Sequence, residues 1–224
     1  LYICDWTFGT MYAIHIEPSG ASYTGTKEEF LSRTPLPLTD VTVGKDGAMY
    51  FTMGGRGTQS GLFRVTYTGS ESTAPADAKD SRNADLRALR HEIEAHHLAA
   101  ADAATIKTLL IPSLGHKDRH IRYAARIALE KVPTAQWADL VTSSTDLETV
   151  VTGVAGLARV GEPALRPKLL AALGKVSLEG ATEFQQLEFV RACQLALIRL
   201  GLPQGDERTA ILAKLDPLFP ASSD

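Results

Sequence analysis

DGAMYFTMGGRGTQSGLFRV, residues Asp46 to Val65, places an apolar, aromatic run on each side of a glycine-rich centre. Met49, Tyr50 and Phe51 come before it, and Leu62, Phe63 and Val65 come after. Aromatic and β-branched residues flanking a glycine loop predict strand, loop, strand. The centre, GGRGTQSG, invites other readings. Gly55, Gly57 and Gly61 spell G-x-G-x-x-x-G, but a dinucleotide loop must open a helix whose N-terminus receives the pyrophosphate, and here a strand follows. A phosphate-binding Walker loop needs Gly-Lys-Ser/Thr, which is absent. The plain expectation is a hairpin loop whose glycines permit unusual dihedrals. The sharper one is that Arg56 points into a mouth and holds an anionic group such as a carboxylate by charge-assisted hydrogen bonds.

The segment has an echo. LYICDWTFGTMYAIHI, from Leu1, aligns Leu1-Tyr2-Ile3 with Met49-Tyr50-Phe51, and Met11-Tyr12-Ala13-Ile14 with Leu62-Phe63-Arg64-Val65. Two strand–loop–strand copies roughly fifty residues apart fit the period of a four-stranded propeller blade. Glu28 to Leu31 then reads as an outer strand and Leu38 to Val43 as an inner one. Lys45-Asp46-Gly47 is the turn between that inner strand and the next, since Asp-Gly accepts positive φ. Asp5 and Trp6 fall in the loop equivalent to that of Arg56, so all three are candidates to line one ligand-facing mouth.

From Gly69 the text GSESTAPADAKDSRNAD is polar and small and reads as a linker. Beyond it the period changes to that of helices. Ile106, Leu109, Leu110 and Leu114 make one stripe, and Ile121, Ala124, Ala125, Ala128, Leu129 and Val132 another. The pattern returns over Leu147–Ala158 and Phe189–Leu200. ALEKVP, GLARVG and ALIRLG are rhyming helix ends, with Gly161 and Gly201 as expected C-caps. The expected fold class is multidomain β + α: an incomplete β-propeller of one to two last blades over 1–68, a linker over 69–84, and a HEAT-like α-solenoid over 85–220. The helical part is expected to fold without the strand part.

Composition narrows the function classes. A chain of 224 residues with 44% hydrophobic and 22% charged residues is of ordinary globular type. A net charge of -3 implies no nucleic-acid or anionic-membrane partner, and no apolar run is long enough to span a bilayer. Cys4 and Cys193 read as two isolated buried thiols. HEIEAHH, His91 to His97, imitates a zinc-protease helix, but His91 and His96 are five apart and diverge by about 140° around a helix. His116 and His120 have a turn and helix start between them and no carboxylate or cysteine partner in view, so no metal site is expected. G-x-S-x-G and C-x-x-C-H are absent. Arg122, Arg126 and Arg191 read as surface or inter-repeat ion pairs of small individual worth. Trp137 is either a core residue or part of an exposed concave face.

LYICDWTFGTMYAIHI together with PLPLTDVTVGKDGAMYFTMGGRGTQSGLFRV resembles the late blades of the sorbosone/glucose dehydrogenase-like propeller family. The order of blade, short linker and Ala-rich helices such as DRHIRYAARIAL is similar to the large membrane-bound dehydrogenase-type proteins of planctomycetes and verrucomicrobia. The resemblance implies that the chain is a fragment of a periplasmic or membrane-associated, quinoprotein-like oxidoreductase acting on sugars or alcohols. In the parent it implies pyrroloquinoline quinone and a c-type haem, with neither carried by this chain. It further implies that the helical repeats dock a protein partner or an adjacent cytochrome-type domain. No catalytic base or quinone ligand maps onto a position here. The alternative is a non-enzymatic interaction scaffold. An exposed concave helical face bearing aromatics or one sign of charge favours partner binding.

Overall fold

In the computed structural model the described residues are 1–55, 57–74 and 80–219. They form two compact units, Leu1–Asn83 and Ala84–Asp224.

The first unit holds six strands: β1 (Tyr2–Asp5), β2 (Thr10–Ser19), β3 (Ser22–Ser32), β4 (Leu38–Val43), β5 (Met49–Gly55) and β6 (Thr58–Val65). They pair as two antiparallel sheets, β1-β2-β3 and β4-β5-β6. The sequence repeat is a repeat of register. Tyr2 faces Ala13 and Ile3 faces Tyr12 in the first hairpin, and their aligned counterparts, Tyr50 with Arg64 and Phe51 with Phe63, face each other in the second. Alternate side chains turn inward. Met11 from the first sheet shares a buried cluster with Leu38, Met49 and Phe51 from the second, and Phe51 stacks on Phe63 with ring centres 4.9 Å apart.

Asp46 fixes the turn into β5. Its carboxylate accepts from the Ala48 amide at 3.2 Å, the Tyr50 hydroxyl at 2.8 Å and Arg64 Nη2 at 3.0 Å. Gly47 beside it has φ 77°, the left-handed conformation that an Asp-Gly turn requires.

The expected propeller is corrected. Each sheet stops at three strands, neither is a four-stranded blade, and the sheets do not close, so the arrangement is α+β. The stretch expected as a separate outer strand, Glu28 to Leu31, is the far end of the eleven-residue β3, turned back on β2 by a two-residue Gly20-Ala21 connection. The third strand follows the repeated hairpin in one sheet and precedes it in the other. What repeats is therefore a hairpin, not a blade.

The second unit comprises α1 (Ala84–Glu94), α2 (Ala103–Thr105), α3 (Ile111–Leu114), α4 (Arg119–Leu129), α5 (Ala138–Thr142), α6 (Leu147–Val160), α7 (Arg166–Lys175), α8 (Glu183–Leu200) and α9 (Gly205–Leu215). A π-wound segment, Ile106–Leu110, joins α2 to α3. These helices run from the three residues of α2 to the eighteen of α8, and with the two open sheets they make the chain α+β in place of the expected propeller followed by a HEAT-like solenoid. Asp118, Asp146 and Thr182 accept hydrogen bonds from first-turn amides and start α4, α6 and α8. At Thr182, Gln185 returns the bond to complete a capping box.

Helix α6 is the centre of this unit and packs on α3, α4, α5, α7 and α8. Val150, Val154 and Leu157 are fully buried on it, and Trp137 is buried nearby with its Nε1 donating to the Val132 carbonyl at 3.2 Å. Trp137 is thus core. Gly161 caps α6 for a reason other than the one expected. Its φ is -86°, and it is needed because a Cβ there would lie 2.5 Å from the Leu157 carbonyl oxygen.

Candidate functional site

A groove of about 590 Å³ runs between α4 and α8, with α6 as its floor. That volume lies in the range of sites that take a ligand or a few anchoring side chains. The floor is apolar and small: buried Val151 and half-buried Thr152 and Ala155. Small floor residues follow from the Ala- and Gly-rich text of α6, which lets its neighbours approach closely. The rim is aromatic and aliphatic. Tyr123 is 59% exposed, Phe184 52% and Leu187 60%. Large apolar side chains held this open to water mark interaction sites when they cluster around a concavity.

The rim also carries cations. Arg119 and Arg126 project from α4 and Arg191 from α8. The Arg126 guanidinium lies 5.1 Å from the centre of the Tyr123 ring and pairs with Glu130 at 2.6 Å. Arg191 hydrogen-bonds the Gln194 side chain. Among the described residues neither Arg119 nor Arg191 has a carboxylate within ion-pair distance.

Arg122 fixes the shape of the groove. It is 5% exposed, and it ties three helices together. Nη2 reaches both Glu188 carboxylate oxygens on α8 at 3.1 and 3.2 Å, and Nε lies 3.4 Å from Glu148 on α6. Nη1 donates to the His116 and Lys117 carbonyls just before α4. Gln185 on α8 donates to the other Glu148 oxygen at 2.9 Å. Of the two readings of Arg122, a surface pair or an inter-repeat pair, the structure shows a pair between helices, and it is a buried strut. A signal for it exists in the sequence. Arg122, Ala125 and Leu129 share one helical face, as do Glu148 and Val151, and Glu188 and Ala192. Three charges at the inner edges of apolar stripes need one another.

Of the loop residues expected to line a mouth, Asp5 and Trp6 make the following contacts. Asp5 shapes its own turn, its Oδ1 accepting from the Thr7 and Phe8 amides at 2.9 and 3.0 Å. Trp6 does meet the second loop. Its Nε1 donates to the Gly54 carbonyl at 3.0 Å, and its ring leaves only 3.2 Å for a Cβ at Gly55, which has φ 95°. Arg56 lies outside the described residues. The depression that Trp6 and Thr58 line has a volume of about 120 Å³, below the usual size of a ligand site.

His91 pairs with Glu94 at 3.2 Å, His97 Nε2 is 2.8 Å from the Ala124 carbonyl, and His116 Nδ1 accepts from the Asp118 amide at 2.9 Å. Among the described residues no three His, Cys, Asp or Glu side chains converge as a metal-binding group, and no helix is long and apolar enough to cross a membrane. Comparison with protein-family models, curated proteins and solved structures finds no match to the chain.

Proposed function

We propose that the chain is a protein-interaction module whose helical unit receives a segment of a partner in the α4–α6–α8 groove. One observation carries this reading: an apolar floor of Val151 and Ala155 is framed by exposed Tyr123, Phe184 and Leu187 and by arginines. Aromatic, aliphatic and arginine side chains around a desolvated centre are the usual composition of interface anchors. The buried Arg122 strut fixes the spacing of the walls before any partner arrives, which lowers the ordering cost of binding.

The oxidoreductase reading, with its quinone, haem and periplasmic setting, comes from the family resemblance alone and concerns a parent protein. The groove, by contrast, is formed by residues of this chain. The test is a photo-cross-linking side chain at Thr152 on the groove floor, compared with one at Lys131, which is exposed and does not line the groove. A discrete adduct from position 152 that is absent from position 131 is expected. The same adducts from both positions would sink the interaction reading.

A further inference from the structure

The groove is specific in charge as well as in shape. The chain as a whole is acidic, with a net charge of -3, yet the groove lining contains four arginines and one glutamate, Glu188. Arg122 is shared between Glu188 and Glu148, so that cluster keeps one negative charge in excess. Arg126 is shared with Glu130, which also holds Arg159 at 3.0 Å, so that cluster keeps one positive charge in excess. Arg119 and Arg191 add two more positive charges without acidic partners among the described residues, so positive charge stays in the majority around the groove even after the Arg122 cluster is counted.

The position of Arg119 sharpens the point. It is the first residue of α4, at the positive pole of the helix dipole, where a cation is disfavoured and an acid is the normal choice. Helix stability does not account for an arginine there, and neither does a salt bridge. A ligand does. Arg119 and Arg126 are seven apart on α4, two turns, so they stand on one face with Tyr123 between them. Arg191 stands on the opposite wall, one turn beyond Leu187 and two beyond Phe184.

Resting on the reading of the groove as a partner site, we infer that its occupant is a short acidic peptide segment of another protein, with apolar anchors spaced between its carboxylates. The anchors lie on Val151 and Ala155 against Phe184 and Leu187. The Asp or Glu side chains take Arg119 and Arg191, whose planar guanidinium groups suit two-point contact with a carboxylate. The groove is bounded by helices that leave no free strand edge, so recognition is by side chains into a groove and not by strand addition. A basic segment meets repulsion from the same two arginines, which is how such a site rejects wrong partners.

The experiment uses the full chain and a displayed library of random twelve-residue peptides. Selection on the native chain is paired with counter-selection on Ala155→Phe and, separately, Thr152→Trp, two substitutions that fill the groove; each variant is checked for an unchanged unfolding midpoint. Groove-dependent peptides enriched in Asp or Glu interleaved with aromatic or aliphatic residues are expected. By fluorescence anisotropy the best of them should bind Arg119→Glu/Arg191→Glu at least tenfold more weakly. Its Lys-for-Glu counterpart should recover binding to that same variant. Groove-dependent peptides without an acidic excess, or no loss with the double reversal, overturn the acidic assignment while leaving the groove as a partner site. No groove-dependent enrichment at all overturns the partner-site reading beneath it.

Discussion

Arg122 on α4 and Glu188 on α8 face each other with both carboxylate oxygens within 3.1–3.2 Å of one guanidinium nitrogen, and Glu148 from the intervening α6 completes the cluster. The arginine side chain is 6% exposed, while Glu148 and Glu188 retain 18% and 29%. Replacing Arg122 by Met leaves two partly buried carboxylates facing each other and the His116 and Lys117 carbonyls without their donor. Breaking a fully buried pair costs about 3–5 kcal/mol, and the residual water contact of the two acids brings the expectation to about 2–4 kcal/mol. Urea unfolding of Arg122→Met measures it. The triple variant Arg122→Met/Glu148→Gln/Glu188→Gln should recover more than half of the loss. No recovery would mean that the loss lies in the His116 and Lys117 carbonyls left without their donor and not in the two facing carboxylates.

Much of the helical unit is legible as spacing. The stripes Ile106–Leu114 and Ile121–Val132 name buried residues because a 3.6-residue period and a packed face are the same fact. The hairpins are legible from Tyr, Phe and Gly for the same kind of reason. The number of strands per sheet is not. It depends on where Glu28 to Leu31 pairs, and a strand whose residues are nearly all exposed gives no alternation to read. The groove is hidden differently. Tyr123, Phe184 and Leu187 are surface residues on helices some sixty positions apart, and nothing local in the text brings their faces together. Only the charges on the inner stripes, Arg122 with Glu148 and Glu188, hint that α4, α6 and α8 meet.

Gly153 measures how closely α5 and α6 approach. A Cβ there would lie 2.5 and 2.7 Å from the two methyls of Val141, which is itself fully buried. Alanine in a helix gains about 1 kcal/mol over glycine, but overpacking a rigid β-branched neighbour costs about 1–3 kcal/mol. Overpacking outweighs propensity here, and Gly153→Ala is expected to lower stability by about 1–2 kcal/mol. Gly153→Ala/Val141→Ala should be less destabilised than the sum of its single variants in a double-mutant cycle. Strict additivity would show that the two sites do not clash.

Asp46 makes the strand unit sensitive to acid. The Tyr50 hydroxyl, then Arg64 and the Ala48 amide, hold its carboxyl below the usual carboxylate range. A depressed folded pKa means that the unfolded chain takes up the proton first as pH falls. The stabilisation is therefore present above the ordinary carboxylate pKa and lost as pH drops through the lower, folded value. Carbon-detected NMR titration should place Asp46 below the usual carboxylate range, and Arg64→Gln should move it back toward that range. An Asp46 midpoint unchanged by that substitution would break the proposed coupling across the hairpin.

Cys193 makes the helical unit sensitive to base. It is 1% exposed on α8, and burial lifts its thiol from 9.0 to about 12. The folded chain resists forming the thiolate that the unfolded chain forms readily. The contribution is complete below pH 9.0 and is lost as pH rises from there towards about 12. The same burial makes the thiol inert at neutral pH, since the thiolate is the reactive species. Native-state alkylation with iodoacetamide, read by mass spectrometry, should label Cys4, which is only half-buried, well before Cys193. Cys193→Ala should flatten the fall in stability as pH rises above 9.0, at a cavity cost visible at neutral pH. Labelling of both cysteines at equal rates under native conditions would show that α8 opens locally, and with it one wall of the groove.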